Sequence, residues 1–233
     1  MKLSVILPTY NEKDAIILLI SEILMILEKE GIDHELVIVD DNSPDGTYAE
    51  ILHHYSTNPR VLTILRTTEK GLATAILHGI LNSAGDKIVV MDTDFNHPPE
   101  LIPLLVKITD NFDIASGSRY VMGGGMETSR MRFLGSKLFN KFIRFMLGVK
   151  TTDNLSGFFA FNRNILEDID LTSIFYGYGD YFIRFLYIMQ KQHRFILELP
   201  VFYKDRKGGL SKTNLKNELV SYTSTVIKIL LRL

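Results

Sequence analysis

Asp92-Thr93-Asp94-Phe95-Asn96 is the most chemically loaded segment of this sequence. In an extended chain alternate side chains share a face, so the carboxylates of Asp92 and Asp94 and the amide oxygen of Asn96 can converge on one hard divalent cation, Mg2+ or Mn2+. Such a cation is usually held by few protein oxygens at nucleotide sites, with phosphate oxygens and water completing its shell. Surface turns also produce Asp-x-Asp; this one gains weight by directly following the apolar run Lys87–Met91. Two other polar clusters end apolar runs in the same way, Pro8-Thr9-Tyr10 after Leu3–Leu7 and Asp40-Asp41-Asn42 after Glu35–Val39. Helix-entry chemistry would explain any one cluster, since Asp41 to Asp45 is rich in turn and cap residues. Together they point to one crevice, because ligands of open α/β sheets bind outside the carboxyl ends of the strands.

The elements that must position these residues are legible as an alternation. Short runs rich in β-branched residues, Leu3–Leu7, Glu35–Val39, Val61–Leu65, Lys87–Met91 and Asp113–Ala115, are separated by the helical patterns Glu12–Gly31, Gly46–Tyr55, Leu72–Ser83 and Glu100–Thr109. Alternation of this kind predicts an α/β fold with a mostly parallel central sheet flanked by helices. After Gly117 come a glycine-bearing loop, Val121 to Met126, and a helix from about Met131 to Leu147. A strand over Gly157–Phe161, a helix over Tyr181–Gln190, an extended piece over Phe195–Tyr203 and a polar loop ending near Asn214 follow. No repeat, low-complexity tract or linker marks a domain boundary.

Composition removes several functions. The 233 residues carry 26 lysines and arginines against 27 acids, a formal charge of −1, so no global basic field exists to hold nucleic acid. With no cysteine there is no disulfide framework, thiolate nucleophile or thiolate zinc site, which fits a reducing compartment. Neither a Gly-x-x-x-x-Gly-Lys-Ser/Thr loop nor a Gly-x-Gly-x-x-Gly turn is present, which excludes the usual ATPase and dinucleotide sites. The histidines at 34, 53, 54, 78, 97 and 193 show no metal-ligand spacing and are expected at the surface, except His97 beside the acidic motif. The N-terminal apolar run reads as a strand instead of a signal peptide. The most apolar long stretch, Ala15 to Leu27, is broken by Ser21 and Glu22 and falls short of the ~20 residues a bilayer span needs.

Pro8-Thr9-Tyr10-Asn11-Glu12, Val39 to Thr47 and Met91 to Glu100 resemble the successive motifs of family-two inverting glycosyltransferases, and within them the dolichol-phosphate (polyprenyl-phosphate) mannosyltransferase branch. Gly117-Ser118-Arg119-Tyr120, Asp153 to Phe158 and Asp205 to Lys212 continue the resemblance, in order, to about residue 220. It implies a single GT-A type nucleotide-diphospho-sugar transferase domain over residues 1–233. About 1–117 would serve the nucleotide sugar and about 118–215 the acceptor, with an amphipathic C-terminal helix at 216–233.

The resemblance also implies roles. Pro8, Tyr10, Glu12 and Asp40 would surround the base and ribose, with Asp41 beside them or orienting the turn; Asp92 and Asp94 would bind the cation that bridges the donor diphosphate. The third position of that alternation is often glutamine in the family, and Asn96 is one methylene shorter. The acceptor would be a polyprenyl phosphate, whose second ionisation near pKa ~6 leaves it largely dianionic at neutral pH. Such a nucleophile needs cationic positioning more than a base, and guanidinium groups bind phosphate oxygens bidentately. Arg119, Arg130, Arg132 and Arg206, with Ser211 and Lys212, fall in the motifs or loops implied to hold that phosphate; Asp153 would orient a ligand, serve as a base in relatives with hydroxyl acceptors, or cap a turn. GDP-mannose is the expected donor, with UDP-glucose as an alternative.

Lipid handling would leave an amphipathic trace. Leu134, Leu138, Phe142 and Phe145 share a helical pattern with Lys137, Lys141 and Arg144, and Leu215–Leu233 repeats it more weakly. The pattern alone slightly favours a core-packing helix with a solvated charged face, and the lipid acceptor that the resemblance implies turns the reading to interface helices lying at headgroup level. The resemblance implies the cytoplasmic face of a membrane, with the chain held peripherally, through a membrane-spanning partner subunit, or as the catalytic portion of a longer chain, because some relatives carry transmembrane helices after this point. Two other readings stand beside this one: a transferase of the same fold with a hydroxyl glycan acceptor, using Asp153 or Asp180 as base, and a catalytically silent membrane adaptor.

Overall fold

The computed structural model describes residues 1–127, 130–204 and 215–231. Strands β1 (Leu3–Thr9), β2 (His34–Asp40), β3 (Val61–Leu65), β4 (Lys87–Val90) and β5 (Ile114–Ser118) alternate with helices α1 (Lys13–Lys29), α2 (Thr47–Tyr55), α3 (Leu72–Leu81) and α4 (Ile102–Ile108). The short strand β6 (Gly125–Met126), helix α5 (Arg130–Leu147), strand β7 (Phe159–Asn162), helix α6 (Tyr181–Lys191), strands β8 (Ile196–Pro200) and β9 (Phe202–Tyr203), and helix α7 (Leu215–Leu231) complete the order.

Seven strands form the main sheet in the order β3-β2-β1-β4-β7-β5-β8. All its pairings are parallel except those of β7, which lies antiparallel between β4 and β5. The mostly parallel sheet flanked by helices is thus as the alternation predicts. From β1 the chain moves outward through β2 to β3 and then returns to the other side of β1 as β4, which makes the β1/β4 boundary a topological switch point. There β1 pairs with β4 only as far as Ile6↔Val90, whereas it pairs with β2 on to Thr9↔Asp40. Pro8, which has no N–H to give a ladder, lies beyond the last β4 pair, and the two strands part to open a crevice.

Strand alternation divides the core. Leu3, Val5 and Leu7 of β1 face α1 and α4 with Val89, Phe158 and Ala160. Ile6, Ile88, Val90, Phe159 and Phe161 face α3 and α6. A third cluster joins α5, α6 and α7 through Ile143, Leu147, Ile183 and Val226.

Two departures from the sequence reading have local causes. The extended piece expected over Phe195–Tyr203 breaks after Pro200: Val201 donates its N–H to Ser118 and accepts from Gly125, and β9 then pairs with β6 in a separate two-stranded sheet. Only glycine fits the tight approach beside that sheet, because a Cβ on Gly124 would sit 2.4 Å from the Ser118 carbonyl oxygen. His34, expected at the surface, is 2% exposed because the β2 start is covered and its Nδ1 bonds the Ile32 carbonyl oxygen at 2.7 Å.

Candidate active site

The carboxyl ends of β1, β2 and β4 enclose a cavity of about 380 Å³ lined by Pro8, Thr9, Tyr10, Glu12, Asp41, Lys70, Gly71, Leu72, Ala75, Asp92, Thr93, Asp94 and Tyr178. The three strand-end clusters therefore meet. Each cluster contains or is directly followed by a non-glycine residue in the left-handed region, Asn11 at φ 54°, Asn42 at φ 55° and Phe95 at φ 64°. Asparagine tolerates this conformation; phenylalanine rarely adopts it, and Phe95, 7% exposed, has its side chain in the core cluster on the α1 and α4 side of the sheet.

The paired acids at the end of β2 have different surroundings. Asp40, which the resemblance set beside the nucleoside, is 0% exposed and absent from the cavity lining. Its oxygens accept from the Ser43 N–H at 2.9 Å and the Ser43 hydroxyl at 2.6 Å. Burial pushes its carboxyl above the ordinary range in spite of those bonds. Asp41 is the one that lines the cavity. It accepts from Arg66 Nε at 2.7 Å and from the Gly71 N–H at 2.7 Å, while Arg66 also binds Thr74 Oγ1 and the Gly71 carbonyl oxygen. Arg66, at 5% exposure, fastens the turn before α3 to the end of β2, and Lys70 of that turn lies over the Tyr10 ring, 5.1 Å from its centroid. Neither cation has a sequence signature beyond its place between a strand and a helix.

Asp92 and Asp94 both face the cavity. Asn96 turns back on Asp94, giving its backbone N–H to Oδ1 at 3.0 Å and its amide Nδ2 to Oδ2 at 2.9 Å. In this arrangement Asn96 braces the Asp94 carboxylate and does not present an oxygen beside it. Among the described residues no cluster of three or more His, Cys, Asp or Glu side chains could hold a metal by itself. A pair of carboxylates is nonetheless the donor set that suits a hard cation whose remaining ligands are phosphate and water.

His97 supports this loop from behind. It is 0% exposed, accepts the Asp92 N–H on Nδ1 at 2.8 Å and donates from Nε2 to the Ser156 carbonyl oxygen at 3.1 Å, which fixes a neutral tautomer. Burial lowers its pKa to about 4. The ring stacks on Phe158 with centroids 4.9 Å apart.

A second cavity of about 430 Å³ adjoins the first. Arg119, Arg132, Ser136, Phe139, Ser156, Gly157, Tyr181 and Tyr222 line it, with Leu72, Asp92 and Tyr178 common to both. Arg119 is bound by Asp153 through a two-pronged ion pair, Nε to Oδ2 and Nη2 to Oδ1, each 2.7 Å. Burial opposes the Arg119 charge, but Asp153 more than restores it and keeps the guanidinium protonated at any working pH. Glu198 in turn accepts the Asp153 and Thr152 N–H groups at 2.9 and 2.7 Å, and the rings of Tyr203 and Tyr120 lie 5.0 and 5.3 Å from the Arg119 carbon. Arg130, at the start of α5, is exposed and lies outside both linings. Arg206, Ser211 and Lys212 lie outside the described residues. Asp180 is inward, accepting from Arg184 at 2.5 Å, Thr225 at 2.8 Å and the Tyr178 N–H at 2.9 Å.

Residues 4–170 match the model of the family described as Glycosyl transferase family 2, more than half of the chain. The chain belongs to glycosyltransferase family 2. Within that family it is 37% identical over 221 residues to the dolichol-phosphate mannosyltransferase of Pyrococcus furiosus, covering 91% of this chain and 59% of the relative. It is 34% identical to the polyprenol monophosphomannose synthase of Mycolicibacterium smegmatis and 33% identical to the undecaprenyl-phosphate mannosyltransferase of Micrococcus luteus, covering 81% and 87% of those proteins and 91% of this chain in each case. The chain thus spans less than two thirds of the Pyrococcus protein but most of the other two.

The fold is shared with glucosyl-3-phosphoglycerate synthase from Mycobacterium tuberculosis, solved with Mn2+, UDP and phosphoglyceric acid: TM-score 0.71 at 22% identity, covering 99% of this chain and 78% of that one. The same enzyme with Mg2+ and UDP superposes with a TM-score of 0.68 at 19% identity over 97% of this chain and 78% of that one. The family-two assignment and the GT-A type fold implied by the motifs are therefore borne out.

Proposed function

We propose that this glycosyltransferase domain moves a hexose, mannose from GDP-mannose by preference, onto a polyprenyl (dolichyl) phosphate with inversion at the sugar carbon, giving a β-linked lipid-phosphate sugar. One observation carries the reading: Asp92 borders both cavities, so a donor diphosphate held in the first and an anionic headgroup held in the second would meet across the motif. The names of the relatives at 33–37% identity support the sugar and the lipid class.

In this reading Pro8, Tyr10, Glu12 and Asp41 form the donor cradle, and Asp92 and Asp94 would hold Mg2+ or Mn2+. When bound, the cation would offset the negative charge developing on the departing diphosphate. Asn96 keeps Asp94 oriented for that role. Arg119, already aimed by Asp153, and Arg132 hold the acceptor phosphate in line for attack, with Arg206, Ser211 and Lys212 assigned to the same phosphate on the resemblance alone. The dianionic phosphate supplies its own nucleophilic oxygen, so no side chain has to remove a proton. A single displacement then inverts the anomeric centre.

The hydroxyl-acceptor alternative asks Asp153 or Asp180 to act as base, yet both oxygens of each are taken by buried cations or N–H groups. That favours the phosphate acceptor. Helix α5 supplies the membrane contact in this account. Ile143 and Leu147 pack inward, while Met131, Leu134, Leu138 and Phe145, at 81, 52, 55 and 86% exposure, form an outward stripe beside Lys137, Lys141 and Arg144. Among the described residues no helix is long and apolar enough to cross a membrane.

The test is incubation with radiolabelled GDP-mannose or UDP-glucose and either a short polyprenyl phosphate or a sugar-hydroxyl acceptor, with Mg2+, Mn2+ or chelator. Metal-dependent label in the polyprenyl product supports the proposal. Transfer only to the hydroxyl acceptor, or nucleotide-sugar binding without transfer to any acceptor, refutes it.

A further inference from the structure

Leu72, Asp92 and Tyr178 are the side chains that line both cavities. The mechanism above uses Asp92; it leaves Tyr178 without a task. Its loop is firmly built. Gly177 sits at φ +73°, and a Cβ there would meet the Asp180 carboxylate at 3.0 Å. The Tyr178 N–H donates to Asp180 Oδ1 at 2.9 Å, and Asp180 Oδ2 accepts from Arg184 and from Thr225 of α7 at 2.5 and 2.8 Å. Arg184, 3% exposed, also binds the Ile174 carbonyl oxygen at 2.8 Å and the Tyr176 carbonyl oxygen. On the other side the loop backs the donor turn, since a Cβ on Gly71 would lie 3.6 Å from the Gly177 carbonyl oxygen. A buried ion-pair network thus fixes the backbone of a tyrosine that is itself 42% exposed.

A pyranose offers a face of C–H groups, which an aromatic ring covers well, and a rim of hydroxyls that a phenol can meet. The sugar carbon must travel from a diphosphate in one cavity to a phosphate in the other, so the hexose occupies their junction. We infer that the Tyr178 ring contacts the transferred hexose, covering one of its C–H faces while the carbon changes partners. This rests on the nucleotide-sugar reading of the two cavities. The same network ties the position of the ring to α7 through Thr225.

The experiment compares wild type, Tyr178→Phe and Tyr178→Ala in three readouts: kcat/KM for GDP-mannose with a short polyprenyl phosphate, KM for that polyprenyl phosphate, and the Kd for GDP with Mn2+. Loss of an aromatic contact that the bound hexose would bury predicts that Tyr178→Ala lowers kcat/KM for the donor by about tenfold or more, while Tyr178→Phe stays within about threefold. The Kd for GDP and the acceptor KM stay at wild-type values in both. Unchanged donor kcat/KM in Tyr178→Ala, a parallel rise in the GDP Kd, or an effect confined to the acceptor KM overturns the inference. Wild-type protein that transfers from no nucleotide sugar overturns the function reading instead, and this inference with it.

Discussion

The Nδ1 atom of His97 accepts the backbone N–H of Asp92 at 2.8 Å, while its Nε2 donates to the Ser156 carbonyl oxygen at 3.1 Å. One fully buried ring therefore joins the acidic loop after β4 to the segment before β7, and through Ser156 to the wall of the second cavity. The acidic loop and the wall of the second cavity are thus joined by a side chain that lines neither cavity.

His97 makes stability depend on pH. Its pKa falls from the usual 6.5 to about 4 because burial disfavours the charged ring. Between those values the unfolded chain binds more protons than the folded one, so the contribution is complete above the unfolded pKa and is lost as pH falls through the window. The full shift corresponds to on the order of 3 kcal/mol. Denaturant unfolding in chelator should show wild type exceeding His97→Gln in stability at pH 7.5, with the gap narrowing at pH 5. An equal gap at both pH values would count against a neutral buried histidine.

Asp94→Ala should abolish transfer, because it removes one of the two carboxylates that face the cavity, at a stability cost of about 1–3 kcal/mol for the two Asn96 donors it leaves unpaired. Activity assays with added Mn2+ and thermal melts check this. Near-normal turnover of the variant in chelator-treated protein refutes the cation-binding role.

The Arg119–Asp153 pair separates structure from catalysis. Asp153 is 0% exposed, so Asp153→Ala strands a buried guanidinium and should cost about 3–5 kcal/mol of stability. Arg119→Lys keeps the charge but loses one prong of the pair. It should raise the KM for polyprenyl phosphate while leaving the Kd for GDP unchanged. Equal damage to both constants would mean that Arg119 acts on the fold alone.

The outward stripe of α5 predicts a membrane effect free of chemistry. Removing one inserting leucine with Leu138→Asp should weaken binding to anionic vesicles by about tenfold. Turnover of a short, water-soluble polyprenyl phosphate should not change. Vesicle flotation that is the same for both proteins would show that the stripe does not meet lipid.

The legible part of this molecule is the part written in local pattern. Apolar runs ending in Pro8-Thr9-Tyr10, Asp40-Asp41 and Asp92-Thr93-Asp94 disclose three strand ends, and a mostly parallel sheet must bring such ends to one edge. What distance along the chain hides is different. Arg66 reaches Asp41 across 25 residues, Asp153 meets Arg119 across 34, and Tyr178 reaches the first cavity from a loop of the second half. No period or spacing encodes those encounters. Strand β7 reads from sequence as another apolar run; that it inserts antiparallel between β4 and β5 depends on which sheet edge remains open, and this insertion carries Ser156 and Gly157 to the second cavity. Adjacent acids are also ambiguous by nature: Asp40 and Asp41 are both buried, and only their partners and the cavity lining tell that Asp41 is the one beside the crevice.

The most direct measurement is the anomeric configuration of the lipid product formed from GDP-α-mannose and polyprenyl phosphate with Mn2+, read by NMR of the purified sugar phosphate. A single in-line displacement between the two cavities yields the β-linked mannosyl phosphate and nothing else. An α-linked product, or mannose recovered only as free sugar, would contradict the account.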